Sequence, residues 1–434
     1  MNAETYARRR AELVNQIGVN DIVIVATSPI RSRNSDVEYQ FRADSDFYYL
    51  SGFSEPEAVL VICPGRARGE YVMFCREKDR AREMWDGRRI GLEGVIDFYG
   101  ADDAFPIEDI NDILPGLMEE KEKVFTTVGR YPDFDAQLLG WMNKIKQDKR
   151  LGKHAPYEFV DLNHILHEQR LIKRPDEIGL MRKAGKMSAA GHARAMQVCR
   201  PGLFEYQVQA EMECEFRKAG SHYNAYPSIV AGGENACILH YTENQDLLKS
   251  GDLLLIDAGA EFGCYAADIS RTFPVNGRFS AEQLALYEIV LAAQESAFEH
   301  CSSGHSWNQP HEAAVKVISQ GLLDEGLLRG SLEQVLETQS YSQFYMHRTG
   351  HWLGMDVHDV GDYQVDEVWR ELEPGMVFTV EPGIYVNPAD DVDQRWHHIG
   401  IRIEDNILVR RDGYENLTES APKKPSDIEA LMAS

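Results

Sequence analysis

"GDLLLIDAGAEFGCYAADISRTFPV" occupies positions 251–275. Two runs of strand composition flank Phe262-Gly263, which predicts a β-hairpin with that pair at its tip. With that tip, Asp257 and Asp268 fall directly opposite one another, and opposed residues share a face with Cβ atoms about 5 Å apart. Carboxylates held so close repel unless a proton is shared or a cation lies between them. The competing reading is a pair of surface aspartates at strand ends. "LLLI" directly before Asp257 speaks against it, because that run places the residue at the end of a buried strand.

Two later stretches carry the same signature. In "MVFTVEPG" (376–383) Glu381 closes an apolar run just before Pro382-Gly383. In "IGIRIEDNILV" (399–409) the isoleucines alternate with Gly400, Arg402 and Glu404, so a period of two puts Arg402 and Glu404 on one face. Buried acids need partners. A further stretch, "HRTGHWLGMDVHDVG" (347–361), gathers His347, His351 and His358 around Gly350 and Gly354. The glycines argue against a helix there, so the histidine spacing alone selects no ligand. Four carboxylates with one imidazole suit hard divalent ions, Mn2+ above all, and are numerous enough for two ions about 3.5–4 Å apart.

Outward from these stretches, the first 172 residues read as an α/β domain. Strands are predicted at "DIVIVA" (21–26), "FYYLSGF" (47–53), "AVLVICPG" (58–65) and "YVMFC" (71–75), with helices near 133–147 and 162–171. Pro175, followed by Asp176 and Glu177, fits the first turn of a helix that opens a second domain, 173–434. That domain reads as helices to 200 and over 205–220, strands at 226–242 and 252–273, helices at 280–302 and 309–328, and strands at 341–360, 375–386 and 398–410. The repeated order predicts duplicated halves around one largely antiparallel sheet covered by helices, an α+β architecture.

The chain has 434 residues, 43% hydrophobic and 26% charged, an ordinary globular composition. Its 45 basic against 70 acidic residues give a net charge of −25, which argues against nucleic acid as a partner. The seven cysteines form no C-x-x-C pair and read as buried free thiols of a reducing compartment. No apolar run reaches membrane-spanning length and the N-terminal stretch lacks a secretory core, so a cytoplasmic protein without membrane partners is expected. H-E-x-x-H, G-x-S-x-G and G-x-x-x-x-G-K motifs are all missing from the sequence.

Together, "IDAGAEFGCYAADISRTFPVNGRFS", "HWLGMDVHDVG", "VEPGIYV" and "GIRIEDN" resemble the metallopeptidases of the pita-bread fold, in particular the bacterial aminopeptidase P (Xaa-Pro aminopeptidase) group. The likeness extends into the N-terminal domain through "RNSDVEYQFRADSDFYYLSGFSEPEAVLV" (33–61) and "EMWDGRR" (83–89), and so covers nearly the whole chain. The resemblance implies a pseudo-twofold, curved pita-bread sheet in the C-terminal domain, and an N-terminal domain serving substrate access and oligomer contacts. It implies a ligand set of Asp257, Asp268, His351, Glu381 and Glu404 around two divalent ions, Mn2+ first, with Zn2+ or Co2+ as substitutes. His240, His347 and His358 would line the cleft and act on substrate and intermediate, and Arg402 would orient a ligand aspartate. The proline ring would sit near His240, His358 and Tyr385. Trp85 would reach in from a neighbouring subunit of a homo-oligomer, a dimer or tetramer; core packing is its competing role.

The activity implied is removal of the N-terminal residue from peptides whose second residue is proline. A hydroxide bridging the metals would attack, with Glu381 as proton shuttle to the leaving nitrogen. Two other readings are a prolidase-like Xaa-Pro dipeptidase, which shares all five ligands, and a non-catalytic binding module, which the intact ligand set disfavours. One departure from the family pattern stands out: Arg348 follows the first histidine of its motif, where relatives often carry glycine, and its charge suits a substrate carboxylate.

Overall fold

The computed structural model describes residues 2–434, apart from the side chain at 149. They divide into two compact units, the first ending at Glu168 and the second spanning Gln169–Ser434. The sequence-based boundary at 172/173 lies just beyond that division. The first unit is built on a six-stranded mixed sheet in the order Asp103–Pro106, Tyr71–Cys75, Val59–Ile62, Ile22–Ala26, Lys123–Thr126, Glu158–Asp161. Three of its four interior strands, Tyr71–Cys75, Val59–Ile62 and Ile22–Ala26, are buried at every residue, which is why they read as unbroken apolar runs. One expected strand is wrong. Residues Ser45–Ser51 form a helix, because Asp44 Oδ1 accepts from the backbone N–H groups of Asp46 and Phe47 and Gly52 ends it in a left-handed conformation. The capping aspartate and closing glycine outweigh the strand preference of "FYYL".

The second unit is α+β. Helices Pro175–Val198 and Glu205–Lys218 precede one set of antiparallel strands, and Ala281–Phe298 and Gln309–Asp324 precede another. Pro175 occupies the first turn of its helix, with Asp176 and Glu177 beside it. In the first half Leu253–Asp257 pairs with Ile229–Gly232 and Ser270–Pro274; in the second, Val377–Val380 pairs with Asp405–Arg410, and Gly383–Val386 with Ile399–Arg402. The expected strand over 226–242 is shorter, since Gly233–Cys237 turns into a 3-10 helix.

The hairpin register differs from expectation. Its tip is Gly263-Cys264, both with positive φ, as a tight primed turn requires. Asp257 therefore opposes Ser270, and Asp268 lies one diagonal step away on the same face. The face survives the shift; the direct opposition does not. The expected strand over 341–360 also proves irregular. Only its middle runs beside the strand Val377–Val380, with Leu353 N–H donating to Val377 O, Thr379 N–H to His351 O and Glu381 N–H to Thr349 O. Gly350 permits this approach, because a Cβ there would sit 1.9 Å from Thr379 O.

A buried polar network joins the two halves. Arg271 donates to the carbonyls of Ser270, Glu404, Ala421 and Pro422 and to Asp405 Oδ1, which uses all five of its N–H groups. Asp405 Oδ2 in turn accepts from Lys423 and Gln294, and Gln294 also bonds the carbonyls of Val380 and Ile403. Four of the cysteines are buried as expected, but Cys214 is exposed and Cys237 and Cys264 are half-buried; all seven are free.

Removing one partner of this buried network should be costly. Asp405→Ala is expected to lower unfolding free energy by about 3–5 kcal/mol in denaturant melts, whereas Arg194→Ala, in an exposed pair with Glu211, costs less than about 1 kcal/mol. A second test uses His192, fully buried with Nε2–H donating to Ala258 O. Burial lowers its pKa to about 4, so the unfolded chain takes up the extra proton first. The stability that neutral, buried His192 contributes should therefore be complete above about pH 6.5 and be lost toward pH 4, read as the difference between wild type and His192→Gln across that range.

Candidate metal centre

The carboxylates of the two halves meet at one place. Extending the pairings Val380↔Asp405 and Gly383↔Arg402 sets Glu381 opposite Glu404, and both line the same cavity as Asp257 and Asp268. Asp268, His351 and Glu404 each bring one donor atom within 4.8 Å of the others. His351 Nε2 lies 3.4 Å from Asp268 Oδ2 and 3.5 Å from Glu381 Oε1. Its Nδ1–H donates to Trp352 O at 2.9 Å, which turns Nε2 toward the carboxylates.

Side chains around this group hold it in place. Thr379 Oγ1 accepts from His351 N–H at 3.0 Å and donates to Glu381 Oε1 at 3.1 Å. Tyr226 donates to Asp257 Oδ1 and also touches Asp268 Oδ1. Ser270 donates to Glu404 Oε2 at 2.7 Å, and Arg402 bonds Asp257, Ser270 and Tyr385. Tyr226, Ser270 and Thr379 are absent from the sequence-based site. Ser270 and Thr379 lie two residues from Asp268 and Glu381, so strand alternation could have found them; Tyr226 leaves no such signal.

The electrostatics are those of an acid cluster short of positive charge. Burial raises the Glu381 pKa to about 7 against the attraction of His351. Burial, then repulsion from Asp268, Glu381 and Asp257, drives Glu404 well above the carboxylate range. Burial opposes charge on His351, yet its bond to Asp268 and the charge of Glu381 outweigh this and push it up to about 9. Glu404 Oε1 is buried without a hydrogen-bond partner. An oxygen-rich donor set with an orphaned carboxylate oxygen and one correctly presented imidazole fits a divalent cation.

The remaining site residues divide. His240, His347, His358 and Arg348 line the cavity, whose volume is about 1100 Å³. The rings of His351 and His358 are 4.4 Å apart. His347 accepts from Tyr385 OH at Nε2 and donates from Nδ1 to Arg348 O, so both its nitrogens are engaged. Burial and the nearby Arg402 charge lower its pKa to about 3, which keeps it neutral. Tyr385 does not lie on the cavity wall: it is fully buried and relays Arg402 to His347, a support role rather than the substrate contact expected for it. Trp85 belongs to a short helix with no buried residue and is 89% exposed, which rules out core packing for it.

A family model described as metallopeptidase family M24 matches residues 179–411, and one described as the aminopeptidase P N-terminal domain matches residues 6–125. The chain belongs to metallopeptidase family M24. It is 42% identical over 433 residues to the Xaa-Pro aminopeptidase of Escherichia coli (strain K12), covering 100% of this chain and 98% of that one. The solved structure of the Pseudomonas aeruginosa aminopeptidase PepP superimposes with a TM-score of 0.99 at 56% identity, covering 100% and 98% of the two chains. A zinc-substituted E. coli aminopeptidase P in complex with product gives a TM-score of 0.97 at 41% identity, with the same coverage. The second unit thus has the M24 pita-bread fold. Among the described residues no helix is long and apolar enough to cross a membrane.

An M24 acid cluster of this kind should reveal itself in thermal melts. Mn2+ added to metal-free protein is expected to raise the unfolding midpoint, by about 2.7 kcal/mol of stabilisation at a hundredfold excess over Kd. Glu404→Gln should leave the metal-free midpoint unchanged or higher, since it removes a repelled charge, while abolishing the Mn2+ shift.

Proposed function

We propose that the chain is a metal-dependent Xaa-Pro aminopeptidase, which releases the N-terminal residue of peptides with proline second. The observation that carries this reading is the convergence of Asp257, Asp268, His351, Glu381 and Glu404 on one wall of a cavity large enough for a peptide. M24 membership and likeness to Xaa-Pro aminopeptidases along the full chain support it.

Those five residues would hold two divalent ions, Mn2+ by the hardness of the oxygen donors. The ions would supply Lewis acidity and a nucleophile competent at neutral pH. The chain's own groups do the rest. Asp257, already paired with Arg402, also suits the free amine at the substrate's N-terminus, which would make the cut an exopeptidase one. Glu381 carries the proton from the attacking oxygen to the proline nitrogen, a task that suits a carboxyl group lining the same cavity as the other metal-site residues. His240 and His358, exposed on the cavity wall, grip the substrate carbonyls. Proline selectivity follows from the imide bond: it has no N–H and a fixed φ, so pockets that grip an ordinary backbone donor cannot hold it.

We place the protein in the cytoplasm and read it as a homo-oligomer. Met84 and Trp85, exposed at 83% and 89%, offer an apolar surface of the kind that a second copy would cover. Metal-stripped protein is expected to release the first residue of an Xaa-Pro-Xaa tripeptide only after Mn2+ is restored, and Asp268→Ala to lower the rate by at least about a thousandfold. Cleavage of Xaa-Pro dipeptides alone would instead make it a dipeptidase. Light scattering should give a particle heavier than one chain.

A further inference from the structure

Only two basic side chains of the lysine and arginine type line the cavity among the described residues, Arg402 and Arg348. They differ in what is left for a ligand. Arg402 is buried and spends Nε on Ser270, Nη1 on Tyr385 and Nη2 on Asp257. Arg348 is exposed, and among the described residues its one hydrogen bond runs from Nη2 to Asn308 Oδ1 at 2.5 Å. Its guanidinium carbon lies 5.0 Å from the centroid of the Trp369 ring, another residue of the cavity wall. No carboxylate among the described residues pairs with it. Glu312 is bonded by the Asn308 amide nitrogen instead, so Asn308 links the acid and the arginine without letting them meet.

A guanidinium held by one polar anchor and one aromatic ring keeps its other donors free, and their planar fork matches a carboxylate. Its position matters as much. Arg348 directly follows His347, whose Nδ1 lies 3.8 Å from Glu381 Oε2. A bound peptide extends roughly 3.3–3.6 Å per residue, so a carboxylate one or two residues beyond the cut comes within reach of an arginine rooted there. The same cavity is lined by Asp257, Asp268, Asp362, Glu381 and Glu404; with the first two and the two glutamates offset by bound metal, Asp362 remains as an acid that would repel such a carboxylate without a compensating charge.

We infer that Arg348 is a specificity residue that binds the free C-terminal carboxylate of short substrates, so that di- and tripeptides with proline second are preferred to their amidated counterparts. The inference rests on the Xaa-Pro aminopeptidase reading and names the substrate class within it.

The test compares kcat/KM of the Mn2+-loaded enzyme for Ala-Pro and Ala-Pro-Ala as free acids and as C-terminal amides, in wild type, Arg348→Ala and Arg348→Lys. The wild type should favour the acids, and in Arg348→Ala the acid-to-amide ratio should fall about tenfold, through a rise in KM for the acids. Arg348→Lys, which keeps the charge but loses the fork, should fall between the two. An unchanged ratio in Arg348→Ala, or an equal loss on acids and amides, overturns the inference while leaving the aminopeptidase reading standing. A wild type that cleaves none of these peptides overturns both.

Discussion

Mutual repulsion among Asp257, Asp268, Glu381 and Glu404 is the constraint around which the second unit is organised. Each sits where an apolar strand ends or turns, so the packing that buries Leu253–Ile256, Val377–Val380 and the isoleucines from Ile399 to Ile403 also drives the acids together. Inside the group, Arg402 pairs with Asp257 alone and His351 with Asp268 and Glu381, which leaves Glu404 uncompensated. A structure that concentrates charge in this way must stabilise itself elsewhere. It does so beside the cluster, where Arg271, Asp405, Gln294 and Lys423 join the strand that follows Asp268 to the strand that follows Glu404. Hydrophobic burial brings the halves together and this network fixes their register.

Much of this was legible in the sequence because strand alternation and apolar runs carry it. The acids at strand ends, the helix opening at Pro175 and the duplicated order of helices and strands all follow from local pattern. The misreadings have local causes too. A capping aspartate at Asp44 turned an aromatic run into a helix, and Cys264 took a left-handed conformation that only the structure reveals, shifting the hairpin tip by one residue. Residues 349–353 follow a strand without becoming one, because the close approach at Gly350 replaces a regular ladder. The helices Gly91–Tyr99 and Ile110–Met118 are amphipathic but short, and the second carries Pro115 in its interior, which masks its helical pattern.

The site was legible in part. Its acids announce themselves by placement and His351 only through the family resemblance, while the partners that orient them come from separate stretches. Tyr226 precedes a short strand and Tyr385 lies inside another, and neither position shows what its hydroxyl bonds. Tyr385 is instructive: the family resemblance implies a substrate contact, whereas burial makes it a link between Arg402 and His347. Trp85 is the reverse case, an aromatic residue whose near-complete exposure assigns it to the surface.

An acid cluster so short of positive charge is built to hold divalent metal. Anomalous diffraction from Mn2+-loaded crystals, collected on either side of the manganese absorption edge, tests it most directly. Anomalous density is expected among Asp257, Asp268, His351, Glu381 and Glu404, close enough to each for coordination. Manganese-loaded crystals with no anomalous density there, or with density only at surface carboxylates, would contradict it.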